Sequence, residues 1–121
     1  MGGLWGDTSK RAFDYVVYNF KFWYQNYRPT GDWAPGYAME LLDNGGGNCY
    51  RWAALYCMMI RAAGYSSNAI AGTHSGGRPH GWVEVYAGGK TYACDPEAQW
   101  EVPSRNWYWF TYDNAPLSYD V

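Results

Sequence analysis

Histidine and cysteine are scarce in this sequence: of 121 residues, two are His and three are Cys. Any imidazole chemistry therefore falls to His74 or His80. The cysteines, Cys49, Cys57 and Cys94, are odd in number, so no disulfide framework can use all of them. No C-x-x-C pair exists to suggest a structural zinc site. Charged residues are also few, at 17%, with a net charge of −2 and no Lys/Arg block, which argues against a nucleic-acid surface. No apolar run approaches the roughly 20 residues that a helical membrane span needs. The opening Met1-Gly2-Gly3-Leu4-Trp5-Gly6 lacks the charged and apolar regions of a secretory signal and the hydroxyl residue of a myristoylation signal. With no targeting segment to read, the compartment stays unassigned, and a domain of a larger secreted or cell-surface protein is consistent with the sequence.

Aromatic residues, by contrast, are abundant: eight Trp, thirteen Tyr and four Phe make up 21% of the chain. So many rings exceed what a core of this size holds, so some are expected to line a groove or a partner surface. The length is that of one domain, residues 1–121, large enough to bury a core without a metal or disulfide staple.

Helical signals come first. After Asp7-Thr8-Ser9, which offers cap residues, Phe13, Val16, Val17, Phe20, Trp23, Tyr24 and Tyr27 form an amphipathic stripe. Arg28-Pro29-Thr30-Gly31-Asp32 breaks it. Pro35 can open a second helix through Leu42. The run Asp43-Asn44-Gly45-Gly46-Gly47-Asn48 ends that element, and a third helix is expected from Cys49 or Tyr50 to Ala63, with Gly64 as its C-terminal cap. From Ser66 the pattern turns to strands, expected at 68–73, 80–87, 90–95 and 107–112. Gly88-Gly89 forms the hairpin turn between the middle two. His74 falls in a Gly/Ser loop. Helices followed by an antiparallel sheet indicate an α+β fold.

Position singles out one cysteine. Cys49 lies where a glycine-rich loop meets a helix, whose first turn offers unpaired N–H groups and the positive end of the helix dipole. Both favour a thiolate, and the same N–H groups can hold an oxyanion. Cys57 and Cys94 read as small buried hydrophobes. A two-residue turn at Gly88-Gly89 sets Ala87 opposite Lys90, Trp82 opposite Asp95 and His80 opposite Glu97. His80, Trp82, Glu84, Asp95 and Glu97 then share one face, and Val83, Val85, Tyr92 and Cys94 share the other. His80 and Asp95 become diagonal neighbours, roughly 7–8 Å apart at the backbone and within side-chain reach. An Asp so placed can accept the Nδ1 proton of the imidazole and leave Nε2 to act on a thiol. The plain alternatives are a buried cysteine in a helix's first turn, a solvated histidine and an Asp-Pro turn. The helix carrying Cys49 is expected to lay its N-terminus over the His80 face.

At these residues the chain resembles the transglutaminase-like domain of the papain-like cysteine-enzyme superfamily. The pieces are Gly47-Asn48-Cys49 leading to Ile60-Arg61-Ala62-Ala63-Gly64, then His80-Gly81-Trp82-Val83-Glu84-Val85, then Cys94-Asp95-Pro96, over about residues 9–97. The resemblance implies a papain-like core with N-terminal helices packed on a C-terminal antiparallel sheet. It also implies a catalytic triad of Cys49, His80 and Asp95, and acyl transfer on peptide or protein amides through a thioester. No cofactor or metal is implied by the residues, since no acidic calcium loop is visible. The expected partner is a peptide or protein substrate, with neither nucleic acid nor membrane. Water as acceptor, making a peptidase or amidase, is the alternative within this chemistry. A non-catalytic peptide- or sugar-binding module with an aromatic surface is the alternative outside it. Cys94 stands where the family usually has an aliphatic residue. The family's side-chain oxyanion donor has no aligned motif, so Tyr27, Trp33 and Asn48 stay unassigned. Trp100, Trp107, Tyr108, Trp109 and Phe110 have no family role and read as a strand half-buried against the sheet.

Overall fold

A computed structural model describes the backbone of residues 2–24 and 28–121 and the side chains of residues 8–24 and 28–121. Helix α1 spans Gly2–Asn19, α2 Ala34–Asn44 and α3 Cys49–Ala62. Strands β3 (Ser66–His74), β4 (Arg78–Ala87) and β5 (Lys90–Cys94) follow, then a short helix α4 (Pro96–Glu101), a 3₁₀ turn at Tyr112–Asn114 and strand β6 (Tyr119–Asp120). Strands β1 (Lys21–Phe22) and β2 (Gly46–Gly47) make a small parallel pair. The main sheet is antiparallel, in the order β5-β4-β3-β6. No helix among the described residues is long and apolar enough to cross a membrane.

Helix α3 lies at the centre. Trp52, Ala53, Ala54, Tyr56, Cys57 and Ile60 along it have no exposed surface, and it packs between α1 and α2 on one side and the sheet on the other. Phe13, Val16 and Val17 of α1 are buried against this core. Burying each such side chain stabilises the fold by about 1.5–3 kcal/mol. Helix α3 ends as its sequence predicts, in a Schellman cap: Gly64 takes a positive φ of 98°, its N–H donates to Arg61 O, and Tyr65 N–H donates to Ile60 O at 3.0 Å.

The Gly88-Gly89 turn also holds. Both residues have positive φ, 60° and 76°, as a two-residue hairpin turn that matches strand twist requires. It gives the expected register, Ala87 with Lys90 through Val83 with Cys94. The ladder stops there. Asp95 leaves the sheet to cap α4, so the expected Trp82–Asp95 pair is not formed, although both residues keep their places along the chain.

Three further expectations need correction. The first helix starts at Gly2 and ends at Asn19, so Asp7-Thr8-Ser9 lies inside it. Its predicted stripe overran because Lys21–Phe22 is drawn into pairing with Gly46–Gly47; Tyr27 lies outside the described residues. Residues 107–112 form no strand. Trp109 adopts a positive φ of 48°, which kinks the segment and leaves a single bridge, Ala93 with Phe110. His74 ends β3 rather than sitting in a loop.

Candidate active site

Asn48 caps α3. Its backbone is extended and its Oδ1 accepts from Arg51 N–H and from Arg51 Nη1 at 3.1 Å. Arg51 is buried, pairs with Glu40 at 3.0 Å and stacks over Tyr37, 3.9 Å from the ring centre to the guanidinium. This network fixes the first turn of α3 and therefore the position of Cys49, its first residue, which is partly exposed.

Helix α3 reaches the sheet through a glycine. A Cβ on Gly81 would lie 2.6 Å from Tyr50 Cδ1 and 3.0 Å from Tyr50 Cα, so only glycine lets the first turn approach β4 this closely. The helix therefore packs on the Gly81-Val83-Val85 face, not over the His80 face as expected. The apolar face is the one that needs covering, and Cys49 lies beside His80 near the start of the strand, close enough to favour the charged imidazole.

His80 Nε2 donates to Asp95 Oδ2 at 2.7 Å. The expected ring orientation is thus reversed: Asp95 holds Nε2, and Nδ1 is left for Cys49. Asp95 lies a diagonal step along the sheet and beyond the ladder, so it meets the ring nitrogen farther from the β4 backbone. Asp95 is wholly buried and fully engaged. Oδ1 accepts from Ala98 N–H at 3.1 Å as the α4 cap, and Oδ2 also accepts from Tyr119 OH at 2.7 Å. Burial alone would push the His80 imidazole below its ordinary pKa. The charge and hydrogen bond of Asp95 outweigh that, aided by Cys49, and hold it well above the usual histidine value.

His74 lies beside this pair, its ring 4.9 Å from that of His80, with Nδ1 bonded to Ser75 Oγ at 3.0 Å. Burial, then the neighbouring charge of His80, lowers its pKa. The two imidazoles are thus tuned in opposite directions: for His80 the bonded Asp95 outweighs burial, whereas for His74 burial and the charge of His80 prevail.

Two residues of the site were not expected in it. Tyr119 is the first. The second is Glu97, expected to lie on the His80 face but given no part in the chemistry. Its side chain is 5% exposed, and Oε1 stands 3.9 Å from His80 Nδ1. Its other oxygen, Oε2, has no donor among the described residues. Burial first, then the neighbouring Glu101 and the charge of Asp95, push its carboxyl up to about 9, which favours the protonated acid near neutral pH. Cys94 faces the core on the other side of β5. Its Sγ accepts from Trp109 N–H at 3.3 Å, and burial raises its thiol to about 12, which leaves it inert.

Cys49, His80, His74 and Glu97 line one cleft of about 820 Å³, together with Phe22, Tyr24, Arg28, Asn48, Arg78, Glu101, Arg105 and Trp107 among others. Asn48 therefore borders the site, whereas Trp33 packs on Tyr50 behind it. His80, Asp95 and Glu97 offer ligand atoms within 4.8 Å of one another. A cation bound by all three would draw on the Asp95 carboxylate that already holds His80, so the cluster is better suited to proton chemistry.

The arrangement defines a class. The sequence model of the transglutaminase-like superfamily matches residues 6–110, and the chain belongs to that superfamily. Its fold is similar to that of the crystal structure of a presumed cysteine protease from Cytophaga hutchinsonii, with a TM-score of 0.57 at 17% identity over 73% of this chain. The chain spans 30% of that structure's length. No curated protein sequence matches it. The α+β, papain-like architecture expected from the sequence is therefore the one observed, and it is a cysteine-enzyme fold.

Proposed function

We propose that this protein is a cysteine-dependent acyl-transfer enzyme acting on peptide or protein amides, with Cys49 as nucleophile, His80 as acid and base, and Asp95 as the group that orients His80. The observation that carries this reading is the chain of contacts from Cys49 to His80 to a wholly buried Asp95, opening on a cleft. In acylation, the Cys49 thiolate attacks the amide carbon and the carbonyl electrons move to oxygen, where the N–H groups of the first turn of α3 can receive them. The carbon–nitrogen bond then breaks, His80 gives the Nδ1 proton to the departing amine, and a thioester remains. In deacylation, an acceptor amine loses a proton to Nδ1 as it attacks the thioester, and the thiolate leaves to restore the starting pair. Asp95 keeps the ring aligned throughout. Water serves as acceptor by the same proton path.

The test is intact-mass spectrometry after mixing the protein with p-nitrophenyl acetate, followed by incubation with peptide mixtures. An acetyl adduct on Cys49 that is absent in C49A, and ammonia loss with cross-links in the peptides, supports amine transfer. Cleavage in place of cross-links assigns water as acceptor. No adduct on Cys49 and no change in any peptide returns the chain to the binding-module reading.

A further inference from the structure

Tyr119 lies beyond residue 110, where the match to the superfamily model ends. It sits on β6, which pairs with Thr73 and His74 at the edge of the sheet. Gly72 makes that docking possible, because a Cβ there would collide with the carbonyl oxygen of Asp120 and with the Trp82 ring. The ring of Tyr119 is held 4.8 Å from Trp82 and 5.5 Å from Phe110. From this fixed position its hydroxyl donates to Asp95 Oδ2, the same oxygen that accepts from His80 Nε2, both at 2.7 Å.

We propose that Tyr119 is a positioning residue for the His80–Asp95 pair: by sharing Oδ2 it fixes the carboxylate for Nε2 and limits how strongly Asp95 stabilises the imidazolium. The inference rests on the reading of Cys49, His80 and Asp95 as the reacting groups. A carboxylate oxygen that takes two charge-assisted hydrogen bonds divides its attraction between them. Without the hydroxyl, that attraction falls on His80 alone, and the imidazolium persists to higher pH. The reaction needs His80 to give its proton to the leaving amine, so an overstabilised imidazolium is a poorer acid. Burial, then the charge of Asp95, raises the Tyr119 pKa, so the phenol remains a donor. The other titratable groups facing the pair are Cys49 from α3, His74 from β3, Glu97 from α4 and Tyr112 from the 3₁₀ turn, and Y119F leaves all of them in place.

The test is Y119F in the full chain, which keeps the ring that packs on Trp82 and Phe110. Nitrogen-15 NMR of histidine-labelled protein follows both imidazoles, and H74Q assigns them. The His80 titration midpoint is expected to rise by about 0.5–1 pH unit, the scale of one altered hydrogen bond to a charged group. Turnover is expected to fall by roughly 3–30-fold with KM little changed, the pattern of an interaction felt in the reaction rather than in binding. Rescue of neither is expected from Y119L, which in addition lowers the urea midpoint by removing the ring. An unchanged His80 midpoint in folded Y119F, with only stability reduced, overturns the proposal and leaves Tyr119 a packing residue. Iodoacetamide labelling of Cys49 against pH in the parent separates the two readings. A labelling step at the His80 midpoint that Y119F fails to move sinks the role of Tyr119 alone. A parent with no such step sinks the reacting pair itself, and this inference with it.

Discussion

The two faces of β4 are built on opposite principles. On one, Gly81, Val83 and Val85 meet α3, and Val83 and Val85 are wholly buried; nothing on that face can titrate, and its energy comes from area removed from water. On the other, His80, Trp82 and Glu84 meet α4 and the C-terminal segment through specific hydrogen bonds. Trp82 Nε1 donates to Tyr112 OH at 2.8 Å, Tyr112 OH donates to Glu84 at 2.6 Å, and His80 is bonded to Asp95. Burying polar groups is tolerable only when each has a partner, so this second face is costly to assemble and sensitive to single atoms. Packing sets the position of Cys49, and the polar network sets the chemistry available to it.

The largest effect should come from removing the sulfur. On the proposed function, C49A is expected to lower turnover by roughly 10³-fold or more, while its urea midpoint stays near that of the parent. C94A, on the packed side, should do the opposite and lose stability with little change in turnover per folded molecule. A C94A protein that loses turnover as completely as C49A would break the division between the faces.

The two histidines sharpen the same contrast within one face. H80A is expected to reduce turnover by about 10²–10⁴-fold, the usual contribution of a positioned acid or base. H74A should leave it within a few-fold, since His74 bonds Ser75 rather than a carboxylate. Steady-state kinetics of both variants decides this, and equal losses would mean that His74 shares the work.

Gly81 joins the two faces. G81A places a methyl group against the Tyr50 backbone and is expected to cost about 1–3 kcal/mol as overpacking does. Because the strain falls at the first turn of α3, iodoacetamide labelling of Cys49 should change its pH profile as well. A loss of stability with an unaltered profile would show that the helix start and β4 are not coupled.

The last contrast is a pH dependence. Glu97 has its folded pKa raised to about 9 from an ordinary 4.5. A raised folded pKa means that its contribution is most favourable below the unfolded value and is lost as pH rises through the folded one. The parent should therefore lose stability relative to E97Q between about pH 5 and pH 9. Urea unfolding of both proteins at several pH values measures this, and a parent that gains stability relative to E97Q as pH rises over that range would refute the assignment.

Much of the site was legible in the sequence because pleat alternation and a two-glycine turn depend only on local geometry. Those two rules placed His80, Asp95 and Glu97 on one side and Val83, Val85 and Cys94 on the other. Helix α4 was missed although its signal was present: Asp95, Pro96 and Glu97 are a cap, a first-turn proline and a first-turn acid. Read as a strand end with a turn, the same residues hid the second duty of Asp95. Residues 107–112 misled in the other direction. Their aromatic run has strand character, but nothing in the residue types announces the positive φ at Trp109.

The sequence by itself determined that Cys49 opens a helix, that a hairpin turns at Gly88-Gly89, and that His80 and Asp95 project to the same side. Each follows from interactions among residues close along the chain. Tertiary structure decided the rest. It chose which imidazole nitrogen faces Asp95, which face of β4 receives α3, and that Tyr119 and Glu97 close around the pair. Those outcomes depend on distances set by several elements packing at once, and on the cost of burying polar groups away from partners.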